Sequence, residues 1–216
     1  MTQLTSRVWR DGELVASDIP LSELDGYLAD AGALTWLDLC DPEGEVLSQL
    51  AEELRLDRHA VEDSIAPRER AKLSRHATHL FLTAYSASLG VDSQGLPELQ
   101  VGRISAFVMP RGLITVRLMR GAVIEPDELV ARWTDAGLLA QGVSALVHGL
   151  LDWLVDGHFE AVQVMDDKLE DLEDLLFEDA VRTREVQQRT FALRKALVRL
   201  RRVVLPMREV VTSVMR

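Results

Sequence analysis

The chain has 216 residues, with 35 Asp and Glu against 24 Lys and Arg, a formal net charge of −11 and a hydrophobic fraction of 47%. That composition describes a folded protein of one or two domains, and its acidic balance excludes wholesale electrostatic binding of nucleic acid, which needs clustered Lys and Arg. Cys40 is the only cysteine, which rules out an intrachain disulfide or a multi-cysteine zinc site and fits a reducing compartment. The N-terminal MTQLTSRVWRDGEL lacks an apolar signal core, and no window approaches the roughly 20 apolar residues that cross a bilayer. The chain as given is expected to be soluble.

Residues 1–142 read as a mixed α/β domain of short elements. Asp11-Gly12 lies between apolar stretches within Val8 to Val15, the pair preferred by a type I′ hairpin turn. Leu21, Leu24 and Leu28 predict a short helix, and Leu34 to Leu39, apolar on both faces, an interior strand. Asp41-Pro42 is placed as the cap and first turn of a helix carrying Val46, Leu47, Leu50 and Leu54. A further helix is expected from Asp57, containing Glu62-Asp63. After the basic stretch Arg68 to Arg75, His79 to Tyr85 is strand-like. Ile104 to Met109 and Leu113 to Leu118 flank the turn Pro110-Arg111-Gly112. Glu125-Pro126 opens a helix through Trp133 that Gly137 ends. Alternating strands and helices predict an α/β/α layered mixed sheet.

Residues 143–216 differ. Phe159, Val162, Leu169, Leu172 and Leu176 form one apolar stripe, and Leu193, Leu197, Leu200, Val204, Met207, Val211 and Val214 form a second with strict 4,3 spacing, a coiled-coil-like seam. Charge separates the two segments. Eleven acids between Val143 and Val181 oppose Lys168 alone, and from Arg182 to Arg216 ten basic residues oppose Glu185 and Glu209. A long antiparallel helical hairpin, acidic then basic, is expected, with its turn near Asp179 to Thr183.

The stretch Leu150-Leu151-Asp152-Trp153-Leu154-Val155-Asp156-Gly157-His158-Phe159, with Met165-Asp166-Asp167-Lys168-Leu169-Glu170, resembles the helical region of CorA-type magnesium transporters. The second helix, through Leu205-Pro206-Met207-Arg208-Glu209, is similar to the start of that family's stalk helix. Trp36 to Leu39, Ala60-Val61-Glu62-Asp63 and Leu113 to Arg117 follow in the family's order, so the resemblance spans nearly the whole chain. Two departures stand out. Arg70-Ala71-Lys72 replaces the usual Arg-Pro-Lys, and the two C-terminal membrane helices with their Gly-Met-Asn signature do not occur. The resemblance thus implies the cytoplasmic domain of a channel in the cell membrane, joined to the membrane only through helices beyond Arg216, and unable to conduct ions by itself.

The resemblance further implies a pentameric parent in which Mg2+ between protomers favours the closed pore, with Co2+ or Ca2+ able to substitute. Its Glu-Asp pair matches Glu62 and Asp63, and an aspartate of its acidic helix matches Asp152; Asp156 lies one turn further on and joins the candidate set. A further aspartate of the family's site has no counterpart before Arg216. Taken alone, all four residues also read as solvated helix surface. The acidic tract from Asp166 to Asp179 is a weaker candidate for loose divalent binding. His76 and His79 are expected on opposite strand faces, unsuited to zinc, and the four tryptophans as packing residues. No phosphate loop, Gly-x-Ser-x-Gly elbow or His-Glu-x-x-His motif occurs, so no enzyme activity is expected. The alternatives are a ZntB-like zinc transporter domain and a helical-hairpin scaffold without a transport role. In isolation the chain is expected to be a monomer or weak oligomer.

Overall fold

The computed structural model describes residues 3–118, 125–135, 137–177 and 183–215. Its strands are β1 (Gln3–Arg10), β2 (Glu13–Ser17), β3 (Ala33–Cys40), β4 (Lys72–Arg75), β5 (Leu80–Val91), β6 (Pro97–Met109) and β7 (Gly112–Arg117). Its helices are α1 (Leu21–Ala29), α2 (Gly44–Glu53), α3 (Arg58–Ile65), α4 (Pro126–Asp135), α5 (Val143–Phe177) and α6 (Thr183–Val214). The strands form one seven-stranded sheet in the order β2-β1-β3-β7-β6-β5-β4. The β3–β7 pair is parallel and the others are antiparallel.

Period-2 alternation divides the core between the two faces of the sheet. Trp36, Leu82, Ile104 and Leu113 face a cluster with Leu129 and Trp133 of α4, Leu146, Leu150 and Leu154 of α5, and Met207 and Val210 of α6. Leu37, Phe81, Phe107 and Ile114 face Leu24 of α1, Leu47 and Leu50 of α2, and Ala60 of α3. The architecture is therefore α/β/α, as the alternation of elements implied. Every residue of β3 is buried, as expected of an interior strand. Its Asp38 is neutralised in place: Arg117 of β7 donates Nε to both carboxylate oxygens at 3.0 and 2.9 Å and Nη2 at 2.6 Å, and Thr115 Oγ1 adds a bond of 2.6 Å.

Turns follow the local chemistry. Asp11 and Gly12 adopt φ of 52° and 84°, the left-handed pair that a type I′ turn requires. Pro110-Arg111 closes the β6–β7 hairpin beyond the Met109–Gly112 pair. Asp41 is not the cap of α2: it takes φ 46° and its N–H donates to Arg117 O at 2.9 Å, which continues the ladder beyond β3, and the helix begins at Gly44 behind Glu43. Strands β5 and β6 run well past Tyr85 and start before Ile104, forming the longest pair of the sheet.

The last two helices, of 35 and 32 residues, form the long antiparallel hairpin; the expected turn at Asp179 to Thr183 falls largely outside the described residues. Their predicted stripes require correction. On α5, Phe159, Val162, Leu169 and Leu176 are exposed and only Leu172 is buried, while Leu154, His158, Ala161 and Met165 form the inner face. On α6 the stripe holds at Leu200 and Met207, which are buried, and at Leu193 and Val214, which pack on the core, but Leu197 and Val204 are exposed while Ala196 and Val210 are buried. Both helices lie against the sheet as well as each other, and a sheet takes a straight 3.6-period stripe rather than the 3.5-period seam of a coiled coil. Small residues permit the close approach: a Cβ on Gly149 would stand 2.5 Å from the Trp133 ring, and one on Gly157 would stand 3.4 Å from Ala87 O.

Candidate cation-responsive site

Helix α3 is placed by two devices. Asp57 caps its start, accepting from the Ala60 N–H at 3.0 Å, and this bond, ahead of any charge, holds the Asp57 carboxyl below its ordinary pKa. Arg103 of β6 closes its other end, donating Nη2 to Ser64 O at 2.9 Å and Nη1 to Ala66 O. Ala60 and Ser64 are buried, so Glu62 and Asp63 turn toward solvent.

Both carboxylates are already engaged. Glu62 accepts from Arg58 Nε at 3.0 Å and lies 3.6 Å from His59 Nδ1. Asp63 accepts from Lys72 Nζ at 2.6 Å, and Lys72 also reaches Glu69 at 3.3 Å. Desolvation disfavours the Lys72 ammonium, but the hydrogen bond to Asp63 and the charges of Glu69 and Asp63 outweigh it and raise the Lys72 pKa.

The other pair stands on α5. Asp152 and Asp156, one helical turn apart, share a single nitrogen: Arg132 Nη1 of α4 lies 3.1 Å from the former and 2.7 Å from the latter. Their side chains are about half exposed, at 54% and 55%. Trp153 Nε1 donates to Glu128 at 3.0 Å, a second tie between α4 and α5.

The structure brings Asp152 and Asp156 together, and leaves them on the opposite helical layer from Glu62 and Asp63. Among the described residues no group of three or more His, Cys, Asp or Glu is placed to hold a metal ion. Within the acidic tract Asp171 pairs with Lys168 at 2.8 Å, and Glu178 and Asp179 lie outside the described residues. The donor set is all carboxylate, suited to a hard cation such as Mg2+, but each protomer presents it in two separated halves.

The sequence gives no sign of the partners that Lys72, Arg132 and Arg103 take. A Lys in a basic stretch and an Arg on an amphipathic helix carry no spacing signal, since their partners are distant in the chain. The histidine expectation also changes. His76 and His79 stack at 4.9 Å and 15°, because they flank the turn that closes the β4–β5 hairpin, where facing residues share a side. The four tryptophans pack as expected: Trp133 meets Trp9 and Trp36 edge-on, and Trp153 packs partly buried against the same core.

The model of the CorA-like Mg2+ transporter protein family matches residues 31–216, and the chain belongs to that family. It is 24% identical over 188 residues to the cobalt/magnesium transport protein CorA of Thermotoga maritima, covering 87% of this chain and 52% of the relative. It is 22% identical over 182 residues to the putative metal ion transporter YfjQ of Bacillus subtilis, covering 83% and 53%. The chain thus spans about half the length of these relatives. The soluble domain of CorA from Methanocaldococcus jannaschii has the same fold, with TM-score 0.71 at 16% identity, covering 97% of this chain and 78% of that one. The ZntB cytoplasmic domain from Vibrio parahaemolyticus is similar at TM-score 0.56 and 15% identity, covering 83% and 70%. No helix among the described residues is long and apolar enough to cross a membrane.

Proposed function

We propose that this chain is the cytoplasmic, divalent-cation-sensing part of a CorA-type Mg2+ channel, and that Glu62 and Asp63 of one protomer face Asp152 and Asp156 of its neighbour in a pentameric parent. One observation carries this reading: the two acidic pairs stand on opposite layers of the protomer, Asp63 partly exposed and the other three about half exposed, each held by basic groups of its own chain. They can complete a four-carboxylate set only across a contact between copies.

Carboxylates brought to ~5 Å repel by roughly 3 kcal/mol at an effective dielectric of ~20. Such a contact favours separation unless a cation is present. Mg2+ suits the site because it accepts oxygen donors and keeps several of its waters; Co2+ and Ca2+ can be held by the same carboxylates. Cation-dependent contact between protomers would then favour one arrangement of the assembly by its differential affinity, closing the pore when the cation is plentiful.

Unfolding monitored with and without Mg2+ tests the reading. Mg2+ is expected to raise the melting temperature of the wild type, and Asp63→Ala with Asp152→Ala to abolish the rise; equal shifts in both would refute it. Light scattering is expected to give a monomer or weak oligomer without divalent ions. The likeness to the ZntB domain supports a second reading with zinc as the ion handled. Calorimetry with Mg2+, Co2+ and Zn2+ separates the two, since the four proposed ligands are all carboxylates, whereas zinc would draw on a nitrogen such as that of His59, exposed beside Glu62.

A further inference from the structure

Between the tip of the β5–β6 hairpin and the first turns of α6 lies a cavity of about 580 Å3, a size that suits a cofactor-sized ligand. It shares no lining residue with either carboxylate pair. One wall is preformed by its own turn: Asp92 Oδ1 accepts from the N–H groups of Gln94 and Leu96 at 2.8 and 2.9 Å, and Asp92 N–H donates to Leu96 O at 2.8 Å. Gly95 adopts φ 75°, which the turn requires. The Asp92 carboxylate is therefore committed to the loop, leaving Glu98 as the second acid of the rim.

The opposite wall is one face of α6. Arg184, Gln187, Gln188, Phe191, Lys195 and Arg199 follow at helical spacing along the cavity. Arg199 Nη1 donates to Leu99 O at 2.8 Å, which fixes that guanidinium at the cavity floor. Phe191 is 69% exposed. Arg184 and Lys195 make no ion pair among the described residues. Arg184, Lys195 and Arg199 outnumber the rim acids Asp92 and Glu98; an apolar ligand would desolvate these cations for no gain in charge pairing, and a bare inorganic anion would leave Phe191 uncovered. A flat heteroaromatic ring bearing phosphates uses the whole wall: the ring stacks on Phe191, the glutamine amides meet its polar edge, and the cations take the phosphates.

The geometry points to this cavity as a binding site for a nucleoside polyphosphate, independent of the cation-sensing role. The test is isothermal titration calorimetry of the whole chain in EDTA, with ATP, inorganic tripolyphosphate and adenosine as separate ligands. ATP is expected to bind saturably at one site per chain, and tripolyphosphate and adenosine each at least about ten-fold more weakly. Phe191→Ala should weaken ATP about ten-fold while leaving tripolyphosphate unchanged, as loss of one stacking contact predicts. Arg184→Ala with Lys195→Ala should weaken both phosphate ligands. These side chains are exposed, and matched melting curves check that the variants fold. The site is refuted if ATP does not bind saturably, if ATP and tripolyphosphate bind equally with no effect of Phe191→Ala, or if the double variant binds ATP as the wild type does.

Discussion

The ammonium of Lys72 donates to the carboxylate of Asp63 across 2.6 Å, joining the edge strand β4 to α3. A divalent ion that takes Asp63 has to displace this lysine. Lys72→Met is therefore expected to tighten Mg2+ binding several-fold while lowering stability without Mg2+ by about 0.5–1 kcal/mol, the scale of a partly exposed pair. Calorimetry with Mg2+ and urea unfolding in EDTA read the two effects, and weaker Mg2+ binding in the variant would count against a role for Asp63.

Arg132 poses the same question on the other layer. Its single Nη1 neutralises two carboxylates that are half exposed, so Arg132→Ala is expected to cost less than about 1 kcal/mol. The Mg2+-induced rise in melting temperature should grow, because Asp152 and Asp156 lose their resident counter-charge. Differential scanning fluorimetry across a Mg2+ series measures it.

The pair inside the sheet behaves differently. Asp38 and Arg117 are buried, and Arg117→Met would strand a carboxylate at 2% side-chain exposure. A loss of about 3–5 kcal/mol is expected. Asp38→Asn, which keeps an acceptor for Thr115 and Arg117, should cost less. Urea denaturation of both variants gives the comparison.

Two buried histidines set the acid limit. Burial lowers the pKa of His158, whose Nε2–H donates to Tyr85 O at 2.8 Å, and burial with the neighbouring His76 lowers that of His79. Their folded pKa values lie below the ordinary 6.5, so as the pH falls through 6.5 the unfolded chain takes up protons first. Stability should therefore be full above that pH and decline below it, toward the folded pKa values. His158→Gln combined with His79→Phe should flatten the dependence between pH 7 and pH 5 in urea titrations.

Gly149 gives a packing test. Gly149→Ala would drive a methyl group to 2.5 Å from the Trp133 ring, and about 1–3 kcal/mol of destabilisation is expected. Near-ultraviolet circular dichroism should change along with the melting temperature.

How much of this was legible in the sequence depended on how local the cause was. The Asp11-Gly12 turn, the β3 strand with apolar residues on both faces and the Asp57 cap are written within a few residues of where they act. The extension of β5 to Val91 was hidden because Ser86, Ser88 and Gly90 interrupt the apolar pattern, while Ala87 and Leu99 find their partners, Ala161 and Leu200, far along the chain. The stripe on α5, and part of that on α6, fails for a related reason: the small or polar residues His158, Ala161 and Ala196 share the buried face with Leu172, Leu200 and Met207. At the candidate site, the acids were visible through the family pattern and their basic partners were not, since Lys72 and Arg132 lie nine and at least twenty residues from the carboxylates they hold.

Helix α4 is tied to α5 along its length: Trp133 Nε1 donates to Leu146 O at 3.1 Å, Glu128 accepts from Trp153 Nε1, and Arg132 Nη1 donates to Asp152 and Asp156. The two helices should therefore shift together, and the Trp133 indole, set edge-on against Trp9 and Trp36, would register any such shift in its emission. The chain carries its own optical reporter.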